Sequence, residues 1–374
     1  MAGSLEKGYR LEELLRAYFL RSSVYVVRGV PLQFDGEDMT DVDLWLYERP
    51  TGSSRRRQIV DAKSRNKPKA IERLLWTKGL KELLDVDGAY IATTDRRPIL
   101  KEMSRRLGVS VLDGADLARM GESDKILFPD RLDEEDLNNA IRQVDRARRT
   151  KDLQLGYLDL KSALVDQFGA GTVNRALDHF SSFLSFLTSS HPSGDAAGVA
   201  LRLCFLAASI AAVAMDFSLA KVSFKSGEER KKALLNVIRY GDEDEARGLA
   251  KVRVAAALVE QYAPNGGAVA RAMTNAIRAG YDKIPAEIIS DHVLNHLRNE
   301  SLFKLARDLE FRAFTRELAG FDSLSLDEKA YLGALIDFVG GDRRAFAGAW
   351  HPSPPAEHPK SANETPMKDI GPLI

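Results

Sequence analysis

A single cysteine, Cys204, in 374 residues excludes a disulfide framework or a thiolate zinc site within one chain. Reducing, cytoplasmic surroundings are therefore expected. Net charge is missing as well: lysine plus arginine and aspartate plus glutamate each number 54, so no uniformly basic coat is available to wrap nucleic acid. No Walker-type phosphate loop occurs, and Asn265-Gly266-Gly267 reads as a turn, so any ATP-driven step would have to come from a partner. Asp291-His292 and His296 set two histidines at i, i+4, but Val293 stands where a zinc protease carries its glutamate, so the pair reads as ordinary surface or core histidines. The opening Met1-Ala2-Gly3-Ser4-Leu5-Glu6-Lys7 lacks the basic start and apolar run of a signal peptide. One run, 196–215, is apolar enough to raise the question of a membrane span. It contains Arg202, is dominated by alanine and ends at Asp216, so a central bundle helix is expected, and no membrane.

What is present is a pair of short strands carrying acids. In Thr40-Asp41-Val42-Asp43-Leu44-Trp45-Leu46-Tyr47 the period of two puts Val42, Leu44 and Leu46 on one face and Asp41 and Asp43 on the other. In Arg57-Gln58-Ile59-Val60-Asp61-Ala62-Lys63 the same period groups Asp61 with Lys63. The stretch between them, Glu48-Arg49-Pro50-Thr51-Gly52-Ser53-Ser54, is rich in turn formers, so the two runs read as a hairpin. Two carboxylates and an ammonium then converge, a set able to hold a hard divalent cation and to act on the water beside it. Around them charge is uneven. Between residues 49 and 81 eleven basic residues face only Asp61 and Glu72, the surplus that a phosphate-backbone ligand requires. Arg65, Lys67 and Lys78 are the candidates for backbone contacts.

Further features stand in a fixed order about this hairpin. Gly8-Tyr9-Arg10-Leu11-Glu12 opens a helix whose apolar stripe is Leu11, Leu14, Leu15, Tyr18 and Phe19, with Glu12 bordering the stripe and Glu13 further into solvent. After the hairpin and a helix come Asp87-Gly88-Ala89-Tyr90-Ile91-Ala92-Thr93-Thr94, a helical stretch 96–107, and Val109-Ser110-Val111-Leu112-Asp113-Gly114. In this order residues 1–120 resemble the PD-(D/E)xK nuclease superfamily, and more narrowly the catalytic domain of Mrr-like restriction endonucleases. One departure is Glu37-Asp38-Met39-Thr40, where that family often has glycines before its first acid.

The resemblance implies an α/β restriction-endonuclease-like domain, a mixed central sheet flanked by helices, over 1–120. It implies a catalytic set of Asp43, Asp61, Lys63 and Glu12, and it favours Asp43 over its face-mate Asp41. Asp43, Asp61 and the carbonyl of Ala62 would hold Mg2+, with Mn2+ able to substitute, Lys63 would act on the attacking water and the phosphate, and Glu12 would hold a second metal or a bridging water. Phosphodiester hydrolysis of DNA in restriction or defence against foreign DNA is the implied activity. A homodimer or higher oligomer is implied because cutting both strands takes two sites.

Beyond a loop-like linker at 121–131 the pattern is helical over 132–350, an all-α domain for recognition, regulation or assembly, through which a protein partner could be bound. Asp133-Glu134-Glu135-Asp136 puts acids at the positive end of its first helix and Arg146-Ala147-Arg148-Arg149-Thr150-Lys151 closes the negative end. Further helices are expected at 153–168, 173–187, 197–219, 228–240, 243–262, 268–281, 286–298, 302–318 and 326–339. No motif repeats at a constant period. The tail, 351–374, carries Pro352, Pro354, Pro355 and Pro359 and reads as disordered. Two other classes stay open: a non-catalytic nucleic-acid-binding or scaffold protein with a nuclease-like domain, and a nuclease acting on RNA or branched DNA. A fragment ending near Gly121 is expected to fold if its sheet does not lean on the helices.

Overall fold

The computed structural model describes residues 2–34, 37–63, 69–121, 126–166, 168–189, 194–296 and 301–350. The first part runs α1 (Ala2–Arg21), β1 (Tyr25–Phe34), β2 (Glu37–Glu48), β3 (Arg56–Lys63), α2 (Ala70–Leu83), β4 (Gly88–Thr93), α3 (Ile99–Leu107), β5 (Ser110–Leu112) and α4 (Gly114–Gly121). The five strands form one sheet in sequence order, antiparallel from β1 to β3 and parallel from β3 to β5, so the expected mixed sheet flanked by helices is present. The hairpin falls where period two placed it. The rest is helical: α5 (Glu134–Arg148), α6 (Asp152–Ser162), α7 (Ala170–Ser189), α8 (Gly194–Ala220), α9 (Gly227–Tyr240), α10 (Glu245–Gly248), α11 (Ala250–Tyr262), α12 (Gly266–Asp282), α13 (Ala286–His296), α14 (Ser301–Phe314), α15 (Leu326–Phe338) and α16 (Arg343–Gly348).

The acid start of the helical part is a working cap. The Asp133 carboxylate accepts from the Asp136 amide, the Asp136 carboxylate returns the bond, and α5 runs to a left-handed Arg149. α8 is the central helix, buried along nearly its whole length, as expected of the 196–215 run. Its one cation has an evident task. Arg202 donates to the carbonyls of Ala313, Thr315 and Arg316 at 2.8, 2.5 and 2.9 Å, satisfying acceptors that α14 leaves open at its C-terminus. Burial pulls its pKa down to about 10.

Each face of the sheet is covered by a different layer. Val26, Leu44, Leu46, Val60, Ala62 and Ala92 pack with Leu15 and Phe19 of α1 and Leu117 of α4. The other face, with Tyr25, Val27, Trp45, Tyr47 and Ile59, joins a single apolar cluster that continues through the helical part. Phe168 stands 4.9 Å from Trp45 between ring centroids, and Phe303 of α14 stands 5.8 Å from Tyr47. The sheet thus leans on the helices, and the condition for an independently folding fragment ending near Gly121 is not met. Of the expected linker, 122–125 lie outside the described residues, as does the whole of the 351–374 tail.

Charges bind the two parts as well. The Asp216 carboxylate of α8 accepts from the Tyr47 hydroxyl at 2.7 Å and from Arg49 and Arg55, in the loop between β2 and β3, at 3.0 and 2.9 Å. At the free edge of β1, Glu134 accepts from Tyr157 at 2.7 Å and from Lys161 at 2.8 Å, and Arg16 of α1 reaches Glu310 of α14 at 2.9 Å. Two helices are little covered: α11 buries no residue, and α12 buries only Gly266 and Ala270. Val254, Leu258 and Tyr262, one turn apart on α11, are exposed.

Candidate active site

β2 and β3 are in register through Leu44↔Val60 and Trp45↔Ile59, and one further step sets Asp43 opposite Asp61. The ladder itself ends at Leu44↔Val60. The amide of Ala62, left without a ladder partner on β2, donates to Asp43 Oδ2 at 2.6 Å, so the carboxylate is fixed by the strand that carries the other acid. On the far side of Asp43, Gly29 of β1 lies between the pairs Arg28↔Leu44 and Val30↔Val42 with a left-handed φ of 58°, a conformation that a side chain there would strain. Asp61 is buried, Asp43 half-buried and Asp41 exposed. Only the first two share a shielded position.

A residue not singled out in the sequence completes the cluster. Arg73 of α2 donates through Nε to Asp61 Oδ2 at 2.7 Å, with a second contact to Oδ1. Burial lowers its pKa, and the charge of Asp43 pulls the other way, so the guanidinium stands in the field of both acids. The signal for it lay in the helical period. Ala70, Leu74, Thr77 and Leu80 are the buried face of α2, and Arg73 borders that face three residues after Ala70. Trp76, a further three residues along, is exposed.

The remaining candidates are placed differently. Lys63 ends β3 and pairs in parallel with Thr93 of β4. Arg65 and Lys67 lie outside the described residues, and Lys78 is joined to Glu82 at 2.6 Å. Glu12 is held by a cation from β1. It accepts from Arg28 at 2.8 Å, and Arg28 registers with Leu44, whose side chain lies on the face opposite to Asp43. Glu13, expected further into solvent, is about as covered as Glu12: it accepts from the same guanidinium at 2.7 Å and from the Glu134 amide at 3.2 Å. The basic surplus is partly spent inside the protein, since Arg49 and Arg55 are taken up by Asp216. Asp113, in the turn after β5, caps α4 through the amides of Ala115 and Asp116 at 2.8 and 3.1 Å. A Cβ at the adjacent Gly114 would stand 2.6 Å from the Thr94 carbonyl, so the Thr-Thr strand end and the Asp-Gly turn meet at close quarters.

Among the described residues no group of three or more His, Cys, Asp and Glu side chains gathers as a metal centre. The two opposed carboxylates already have a cation against them in Arg73, and their oxygens with the Ala62 carbonyl are a donor set suited to a hard ion. His292 lies near Tyr331, with ring centroids 6.4 Å apart. The side chain of His296 lies outside the described set. Comparison with family models, with curated proteins and with solved structures finds no match.

Proposed function

We propose that the protein is a divalent-metal-dependent endonuclease that hydrolyses phosphodiester bonds in DNA, with a restriction-endonuclease-like first part and a helical second part. The observation that carries this reading is the opposition of Asp43 and Asp61 across β2 and β3, with Arg73 against them. Element order supports it: helix, acid-bearing hairpin, helix, strand ending at Thr93 and a turn at Asp113-Gly114.

In this reading Asp43, Asp61 and the Ala62 carbonyl hold Mg2+, with Mn2+ able to replace it. When bound, such an ion acidifies water and draws charge from a phosphate. The chain's own residues would do the rest. The Ala62 amide orients Asp43, Lys63 would take or hold a proton at the attacking water, and Arg73, whose guanidinium lies against Asp61, would be placed to meet a phosphate oxygen. Glu12, which accepts from Arg28, would hold a second metal or a bridging water. A second copy of the chain would cut the other strand. Defence against foreign DNA is the role this chemistry fits.

A second reading, a non-catalytic scaffold, is favoured by the internal use of Arg49 and Arg55. Incubation of the purified protein with linear, supercoiled, single-stranded and branched DNA and with RNA, in Mg2+, Mn2+ or EDTA, decides between them. Metal-dependent cleavage of DNA supports the nuclease; no cleavage of any substrate leaves the scaffold.

Lys63→Ala should remove most cleavage while Mn2+ binding, followed by calorimetry, changes little, because an ammonium does not ligate a cation. Lys63→Arg should not restore it, since guanidinium does not give up its proton near neutral pH. Full activity in the arginine variant would exclude a base at this position. Trp76 is an exposed aromatic three residues from Arg73 on the same helix, a place from which it can stack on a base. Trp76→Ala is expected to weaken DNA binding about tenfold, close to the value of one stacked base, with melting temperature unchanged. Equal affinity of the variant in a fluorescence anisotropy titration would remove Trp76 from the interface.

A further inference from the structure

Between α1, the segment 127–133 and Arg316 beyond α14 lies a cavity of about 430 Å3. That volume is within the range of small-molecule sites. Five arginines line it against three acids, and each of the acids is engaged: Glu13 with Arg28 at 2.7 Å, Asp133 at the α5 cap, Glu135 with Arg142 at 2.6 Å. Three of the arginines, Arg16, Arg28 and Arg131, are more than nine-tenths buried, and Arg16 and Arg131 both donate to the same oxygen of Glu310. Both guanidinium groups lie over Phe314, at 3.9 and 4.7 Å from its centroid.

Sharing one carboxylate leaves donors over. Nε and Nη1 of Arg16 and of Arg131 have no hydrogen-bond partner among the described residues. Arg16 Nη1 is within ion-pair range of Glu13 and Glu134, at 3.5 and 3.6 Å, whereas Glu310 is the one ion-pair partner of Arg131 among the described residues. Buried donors left this way destabilise the folded chain unless something accepts from them. Burial lowers the pKa of Arg131 while Glu310 supports it, and against the same burial three acids, Glu13, Glu310 and Glu134, hold that of Arg16 up. The mouth is also basic, with Arg10 exposed and Arg316 more than half exposed. Phe128 and Leu127 supply an apolar wall, and the Phe128 ring already carries the Arg21 guanidinium 4.3 Å from its centroid.

We propose that this cavity binds a small organic phosphate of nucleotide size, with the phosphate on Arg131 and Arg16, Arg10 and Arg316 at the entrance, and the planar portion against Phe128. A phosphate suits the site because it offers several acceptor oxygens to guanidinium groups that present donors in pairs. Such a ligand would tie α1, beneath the sheet, to the end of α14, and so stiffen the junction of the two parts. The cavity lies on the α1 side of the sheet, away from Asp43 and Asp61, and binding there does not depend on the nuclease reading.

The test is calorimetric titration of the full chain with adenosine, AMP, ATP, pyrophosphate and inorganic phosphate. AMP or ATP should bind at one site per chain, adenosine at least about tenfold more weakly, and pyrophosphate should compete. The rim variant Arg10→Ala/Arg316→Ala should weaken nucleotide binding about tenfold or more at unchanged melting temperature, since both residues are solvent-facing. Arg131→Gln should abolish binding; if it fails to fold, the rim variant decides. Adenosine binding as tightly as AMP, nucleotide binding unchanged in the rim variant, or no heat from any phosphate compound would each overturn the proposal. Binding of a 5′-phosphorylated oligonucleotide without binding of mononucleotides would overturn it too.

Discussion

Asp43→Asn and Asp61→Asn are each expected to lower metal-dependent DNA cleavage by about three orders of magnitude or more, equivalent to roughly 4 kcal/mol of transition-state stabilisation. Asparagine is the informative replacement. Its carbonyl oxygen can still accept from the Ala62 amide in place of Asp43, or from Arg73 in place of Asp61, so local geometry survives while one negative charge is removed. Loss of that charge halves the attraction for a divalent cation and lessens repulsion of a phosphate. DNA affinity measured in EDTA should therefore hold or rise while cleavage falls. Asp41→Asn, at the exposed neighbour on β2, should cut at the wild-type rate. Wild-type cleavage by either central variant would remove that residue from the site, and loss of activity in Asp41→Asn alone would move the site two residues along the strand.

What the sequence made legible followed from periodicity and punctuation. The hairpin could be read because Val42, Leu44 and Leu46 alternate with Asp41 and Asp43, and the helices because glycine, proline, serine and asparagine divide apolar runs of helical period. β1 had no such signature: Tyr25, Val26, Val27 and Arg28 are buried in succession, and a strand covered on both faces shows no alternation. The helix expected at 153–168 ends at Ser162, ahead of Gly169 at a left-handed φ of 125°. Partnerships across long separations were out of reach. Arg16 and Glu310 stand 294 positions apart, so their ion pair leaves no trace in local pattern. Arg49 and Arg55 read as part of a phosphate-facing surplus because nothing near them in sequence announces Asp216. Glu12 was legible as an acid beside an apolar stripe, but nothing near it in sequence announces Arg28. Arg73 was one basic residue among eleven until the register of α2 set it over the carboxylates.

Asp216→Ala is expected to destabilise the protein by about 3–5 kcal/mol, the cost of leaving buried charges without their counter-ion. Both of its arginine partners are about 5% exposed or less, Asp216 itself is 3% exposed, and the Tyr47 hydroxyl beside them is buried as well. Burial pushes the Tyr47 pKa far up, and Asp216 reinforces the shift, so the phenol stays a neutral donor that also loses its acceptor in the variant. Asp216→Asn should fall between, because an amide accepts a hydrogen bond but does not neutralise two guanidinium groups. Thermal denaturation should show the alanine variant lower by roughly 5 °C, and the gap should change little in 1 M salt since ions do not screen buried pairs. Activity offers a separate check. The loop held by Asp216 closes the end of the hairpin at Glu48↔Arg56, whereas Asp43 and Asp61 lie toward its other end. Below its own melting temperature the alanine variant should therefore retain metal-dependent cleavage. A melting temperature within a degree or so of wild type would show that Asp216 does not anchor the hairpin, and a folded variant without activity would show that the far end of the hairpin sets the spacing of the carboxylate pair.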